Sequence, residues 1–264
     1  MEKESMKPIR SIFPVALFLL LISGIPVRAA DVPLPSVPIP SFQIGLGVAR
    51  SPQDVTVSLQ ILALLTVLSL APAIFMMMTS FTRILVVLGF VRRAIGLQQE
   101  PPNQVLVTLA LFLTFYTMAP TWTQVYDNAL SPYMAGRISA GNAWRETVAP
   151  MRKFLLAYTR EQELSLMVRM AKMERPRNPD DVPMKILLPA FMLSEMKTAF
   201  QMGVVIFIPF IVVDMIVSSV LMAMGMIMLP PMMISLPFKV LLFVMADGWN
   251  LVVASLIKSF SQTL

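Results

Sequence analysis

Five charged side chains stand inside segments that are otherwise apolar: Arg83, Glu195, Lys197, Asp214 and Asp247. Such groups are expensive in hydrocarbon, so they face protein or a water-filled path rather than lipid. Two roles fit: an ion or proton relay, or structural pairing between packed helices or between subunits. Glu195 and Lys197 are two residues apart and do not face each other on one helix, so each needs a partner elsewhere. Ser194 and Lys197 are three apart, the spacing of a serine nucleophile beside an activating lysine. Helical repetition produces that spacing constantly, and no enzyme is read from it.

The other chemically marked stretch is "MAMGMIMLPPMM", Met222 to Met233. Thioethers are soft ligands, and Met222, Met224, Met226 and Met228 alternate as in a copper(I) site. On a helix, residues two apart lie about 200° around the axis and scatter their sulfurs. In an extended loop, alternate side chains point one way, and Gly225, Pro230 and Pro231 favour a loop. Methionine also has a mechanical use, because its unbranched, polarizable side chain repacks against irregular or changing surfaces. A ring of such loops meeting at an axis would seal a pore; a Met-rich helix facing lipid is the plainer alternative.

The elements that position these residues follow from composition. The chain has 264 residues, 56% of them hydrophobic and 14% charged, with no cysteine and no histidine. Disulfides, thiolate zinc sites, Cys nucleophiles and His-based triads are therefore excluded. No cofactor and no metal is expected. Uncharged runs long enough for roughly 20 helical residues recur, which identifies a multi-pass membrane protein. The net charge of +6 belongs to the flanks of those runs, and no nucleic-acid partner is inferred from it.

Residues 1–29 read as a signal peptide, with Lys3, Lys7 and Arg10 before "SIFPVALFLLLISGIPV", and Val27 and Ala29 before the cleavage point. An uncleaved first span is the alternative. Residues 30–55 are a proline-rich extended segment. Residues 56–122 make a hydrophobic hairpin: a first span from Leu59 to Met78 kinked at Pro72, a run continuing past Arg83 to the basic Arg92 and Arg93, and a second span from Val105 to Trp122. The short basic loop is assigned to the cytoplasmic side.

Residues 123–185 form the one substantial polar region, assigned outside the cytoplasm, with an amphipathic helix capped at Thr147 and carrying Met151, Phe154, Leu155 and Tyr158. Residues 186–264 are again apolar, as two long hairpins or four shorter segments. No phosphate-binding glycine loop, fixed-period repeat or inverted symmetry occurs.

Several blocks, in order, resemble one family. "PAIFMMMTSFTRILVVLGFVRRAIG", "PPNQVLVTLALFLTF", "PAFMLSEMKTAFQMGVVIFIPF" and "LPFKVLLFVMADGW" are similar to the FliP family of type III export-gate proteins, from about residue 53 to the end. The resemblance implies an all-α integral membrane protein whose long kinked hairpins assemble into a homo-pentameric ring. FliQ and FliR join that ring in a right-handed helical export-gate complex, much of it above the membrane plane, alongside other export-apparatus membrane components. It further implies a non-enzymatic pore in the bacterial inner membrane, at the flagellar basal body, passing unfolded flagellar proteins. Met226, Ile227 and Met228 would be the gasket of the closed pore, flanked by Met224, Gly225, Pro230 and Pro231. Ile227 departs from an all-methionine triplet and is stiffer at its first torsion. The leader and the sizeable outer region resemble the flagellar branch; an injectisome gate subunit, or a Met-rich ion or metal carrier, are the other readings.

Overall fold

A computed structural model describes residues 52–261 except Gln98, Arg175, Arg177, Pro179, Asp180 and Ile227. The expected signal peptide and nearly all of the proline-rich segment lie outside the described residues, as does the middle residue of the expected gasket. Every regular element among the described residues is helical.

Helix α1 is Pro52–Met78; its stretch Leu59–Met78 is apolar around the axis and not buried within the chain. A helix hydrophobic all round is a core helix or a membrane span, and this one has no core around it. Near its C-terminal end Phe75 stacks on Trp122, 6.2 Å between centroids, and tilts against Phe115 at 6.1 Å. The run that reads as continuing past Met78 breaks at Thr79 and Ser80, both buried. The Ser80 and Thr117 hydroxyls are 2.7 Å apart, fixing this corner against α3. Helix α2, Phe81–Ile95, ends at Gly96, whose φ of 92° lets the backbone close the helix.

Helix α3 is Asn103–Val125. It passes through a π-helical turn, Tyr126–Leu130, into the short α4, Ser131–Met134. Thr114, Thr117 and Thr121 are buried along one face of α3, the small polar contact that lets helices approach closely where lipid offers no hydrophobic drive.

Helix α5, Ala140–Tyr158, begins earlier than its amphipathic pattern suggests. Its cap is Ser139, which accepts the Asn142 N–H, whereas Thr147 lies inside the helix and donates to the Ala143 carbonyl at 2.8 Å. Met151, Phe154, Leu155 and Tyr158 form its buried stripe as expected. The polar run does not continue as one helix: it breaks at Thr159 and resumes as α6, Glu161–Met170.

Helix α7 runs unbroken from Met184 to Ala223, 40 residues including Pro189 and Pro209, or roughly 60 Å at 1.5 Å per residue. Helices α8, Pro231–Met245, and α9, Gly248–Ser261, bend by 61° at their junction. The C-terminal apolar region is thus one very long helix and a bent pair. Three helical stretches are long and apolar enough to cross a membrane, four if the bent pair is one span.

The core centres on α2, whose Ile84, Val87, Leu88 and Val91 are fully buried against α3 and the first half of α7. A tight approach is at Gly203, where a Cβ would lie 2.6 Å from the Phe90 ring. That ring cannot retreat easily, being edge-on to Phe200 and Phe207. Gly203→Ala should therefore cost about 1–3 kcal/mol, read as a lower thermal unfolding midpoint in detergent. An unchanged midpoint would mean that α2 and α7 are not in this contact.

Candidate functional site

Four of the five charges, all but Asp247, resolve into pairs within the chain. Arg83 of α2 and Glu195 of α7 are 4% and 0% exposed and form a bidentate ion pair, with Arg83 Nε donating to Glu195 Oε2 at 2.9 Å and Nη2 to Oε1. Nη1 donates to the carbonyl and hydroxyl of Ser259 on α9, at 3.3 and 3.1 Å. The guanidinium lies 4.1 Å over the Phe260 ring and 5.5 Å from that of Tyr158 on α5, whose hydroxyl donates to the Phe260 carbonyl. One cation therefore joins four helices, with each of its three nitrogens bonded and its face on an aromatic ring.

Lys197 points elsewhere, donating from Nζ to Glu163 Oε1 of α6 at 2.8 Å and to Gln162. That hydrogen bond holds the Glu163 carboxyl below its ordinary value, outweighing desolvation. Ser194 is fully buried, donates to the Ala190 carbonyl and accepts the Arg160 backbone N–H, each at 2.9 Å. Serine and lysine thus serve separate contacts: Ser194 fixes the α5–α6 corner against α7, and Lys197 holds α6.

Asp214 faces α8. Its Oδ2 accepts Lys239 Nζ at 2.6 Å and its Oδ1 accepts the Ser235 hydroxyl at 2.5 Å. Asp247 is different: it is exposed at the α8–α9 bend, with φ 49°, and accepts Asn250 Nδ2 at 3.0 Å. It belongs to none of the described ion pairs.

The methionine stretch is the tip of the α7–α8 hairpin. Met222 is in the last turn of α7 and Met224 is its C-cap. Gly225 takes φ 73°, its N–H bonds the Met222 carbonyl, and Met226 N–H reaches back to Leu221 at 2.9 Å. This paired closure is the Schellman motif. Pro230 and Pro231 then start α8, with Pro231 in the first turn where a missing N–H costs nothing. The alternation Met222, Met224, Met226, Met228 therefore crosses a helix end and does not run along one extended strand. Met222, Met224 and Met226 are exposed and Met228 is 98% exposed.

Sequence reasoning did not single out Ser235, Lys239 or Ser259, and it placed Tyr158 only in the apolar stripe of its helix. The i, i+4 spacing of Ser235 and Lys239 was the available signal for the first pair; nothing local marks Ser259.

Long apolar helices joined by ion pairs, one of them buried on both sides, fit a helical membrane protein. A family model described as the FliP family matches residues 64–256. The flagellar biosynthetic protein FliP of Bacillus subtilis is 51% identical over 212 residues, covering 80% of this chain and 96% of that protein. The proteins of the same name from Borreliella burgdorferi, 51% identical over 210 residues (78% of this chain, 83% of that protein), and Aquifex aeolicus, 46% over 205 residues (77% and 86%), are similar along the same length. The chain belongs to the FliP family.

Two outcomes follow from these pairs. Glu195→Gln or Arg83→Met alone strands a buried charge or donor and should cost about 3–5 kcal/mol, read as loss of protein from the membrane fraction, while the double variant should recover part of it. For Glu163, a carboxyl depressed below 4.5 contributes stability above the unfolded value, lost as pH falls through the folded one. Lys197→Met should raise its titration midpoint, followed by carboxyl carbon shifts; an unmoved midpoint would remove Lys197 as the cause.

Proposed function

We propose that this chain is a pore-forming core subunit of the flagellar protein export gate, in the inner membrane at the basal body. In this reading several copies, five by the family resemblance, surround a channel through which unfolded flagellar proteins leave the cell. FliQ and FliR complete the assembly, and energy comes from other components, since the subunit itself catalyses nothing. The proposed layout keeps a cleaved leader, a proline-rich segment and a polar region outside the cytoplasm.

The observation that carries the reading is the exposed methionine tip at the end of a hairpin whose apolar faces are largely uncovered in the single chain. Val204, Val205, Ile208, Met215 and Ile216 on α7 and Phe238, Leu241 and Val244 on α8 are all exposed. Such surface requires lipid or further protein against it. Around an axis, Met224, Met226 and Met228 would close on one another with Ile227 between, a soft apolar seal that yields to any passing chain. The flagellar names of the relatives favour the flagellar over the injectisome branch.

The absence of cysteine provides the test. Met228→Cys should give disulfide-linked dimers on mild oxidation if tips of different copies meet, and Met226→Ala with Met228→Ala should leak small ions. Monomeric Met228→Cys together with a tight alanine variant would overturn the pore reading. In-frame deletion should abolish filament and secreted hook protein, with the intact gene restoring both.

A further inference from the structure

Between Thr198 and Ala223 the second part of α7 holds one charge, Asp214, and α8 holds one, Lys239. They meet. Lys239 is 4% exposed and Ser235 is fully buried, and the two stand four residues apart, hence on one face of α8. Both donate to the two oxygens of the same carboxylate, at 2.6 and 2.5 Å. The contact lies nine residues before the end of α7, about 13 Å below the methionine tip.

We infer that Asp214, Ser235 and Lys239 form a polar clamp that sets the register of α8 against α7 and so positions the methionine loop, an inference that rests on the pore reading. The argument is geometric. Apolar helix faces slide at little cost, since one methyl replaces another, whereas a carboxylate satisfied on both oxygens by two donors of one helix face fits a single register. Slipping α8 by one turn would move both donors about 5 Å along the axis and leave a desolvated ammonium without an acceptor. The loop is short and closed by its own backbone bonds from Leu221 to Met226, so its position follows the two helices that carry it. The clamp holds the tip at a set height without using any tip residue. These are positioning residues: no substrate need touch them.

The discriminating variant is the double Asp214→Leu with Lys239→Met, which removes both charges together, so that the buried Lys239 ammonium, paired with a carboxylate 31% exposed, is not left without an acceptor. The assay is ion leakage across the membrane of cells expressing the full chain with its native partners, normalised to chain level by immunoblot. The clamp predicts normal abundance with leakage raised roughly tenfold, the weight of one charged hydrogen bond, and a leakage restored to the native level in Asp214→Glu. Normal abundance with native tightness in the double variant would overturn it, the pair then being only an aid to folding. Should the double variant not accumulate, Ser235→Ala decides: isosteric and uncharged, it predicts a measurable leak, and a tight gate overturns the clamp. The methionine variants separate the two readings. Leaky Met226→Ala, Met228→Ala with a tight clamp variant refutes the clamp alone, whereas tightness in both, with Met228→Cys remaining monomeric, refutes the pore.

Discussion

The arrangement depends on the burial of one cation. Taking a guanidinium and a carboxylate out of water costs several kcal/mol per ion, and mutual attraction repays this only where the remaining donors are also satisfied. Arg83 meets that condition by reaching three helices beyond its own: Glu195 on α7, Ser259 on α9, and the Tyr158 and Phe260 rings. What the pair contributes is register more than net stability. A 40-residue helix with apolar side chains on every face has many nearly equivalent positions against α2, and only one of them joins Glu195 to Arg83. Once that position is fixed, Ser194 meets the Arg160 N–H and Lys197 meets Glu163, so the polar contacts of α7 follow from a single alignment.

That alignment divides α7 into two parts with different surroundings. From Ile186 to Gly203 it buries a residue every turn or so, against α2, α5 and α6; beyond Gly203 only Phe210 and Leu221 are buried. The first part is anchored in the chain's own core, and the second projects from it in company with α8. The same helix therefore transmits the position of a buried ion pair to a tip far from it. Gly203, pressed on Phe90, stands where the anchored part ends, and the tight contact there resists tilting of the projecting part.

Much of this was legible in the sequence, for identifiable reasons. Length and uninterrupted hydropathy located α1 and α3, and charges in apolar runs announced that partners existed. Which partners could not be read, because Arg83 and Glu195 are 112 residues apart and nothing near either names the other. The unity of α7 was hidden by Pro189 and Pro209, which break helices in water but are tolerated where apolar neighbours and adjusted local bonds compensate. The start of α5 was hidden by a Thr147 that suits a cap but serves as well inside a helix by bonding the carbonyl four residues back. The π-helical turn at Tyr126–Leu130 has no compositional mark at all.

At the methionine tip the backbone and the side chains carry separate duties. The last carbonyls of α7, at Val220, Leu221 and Met222, are each taken by an N–H of the loop itself, and the left-handed Gly225 makes that closure unstrained. The loop thereby meets three of the last four carbonyls of the helix without a side chain. Its thioethers are thus free of any role in holding the turn, and their exposure follows from that freedom. A surface of long, unbranched side chains on a self-sufficient backbone can change shape by rotating torsions alone. Deformation of the tip then requires neither unwinding of α7 nor loss of a helix bond. Ile227, branched at Cβ, is the stiffer member of this stretch.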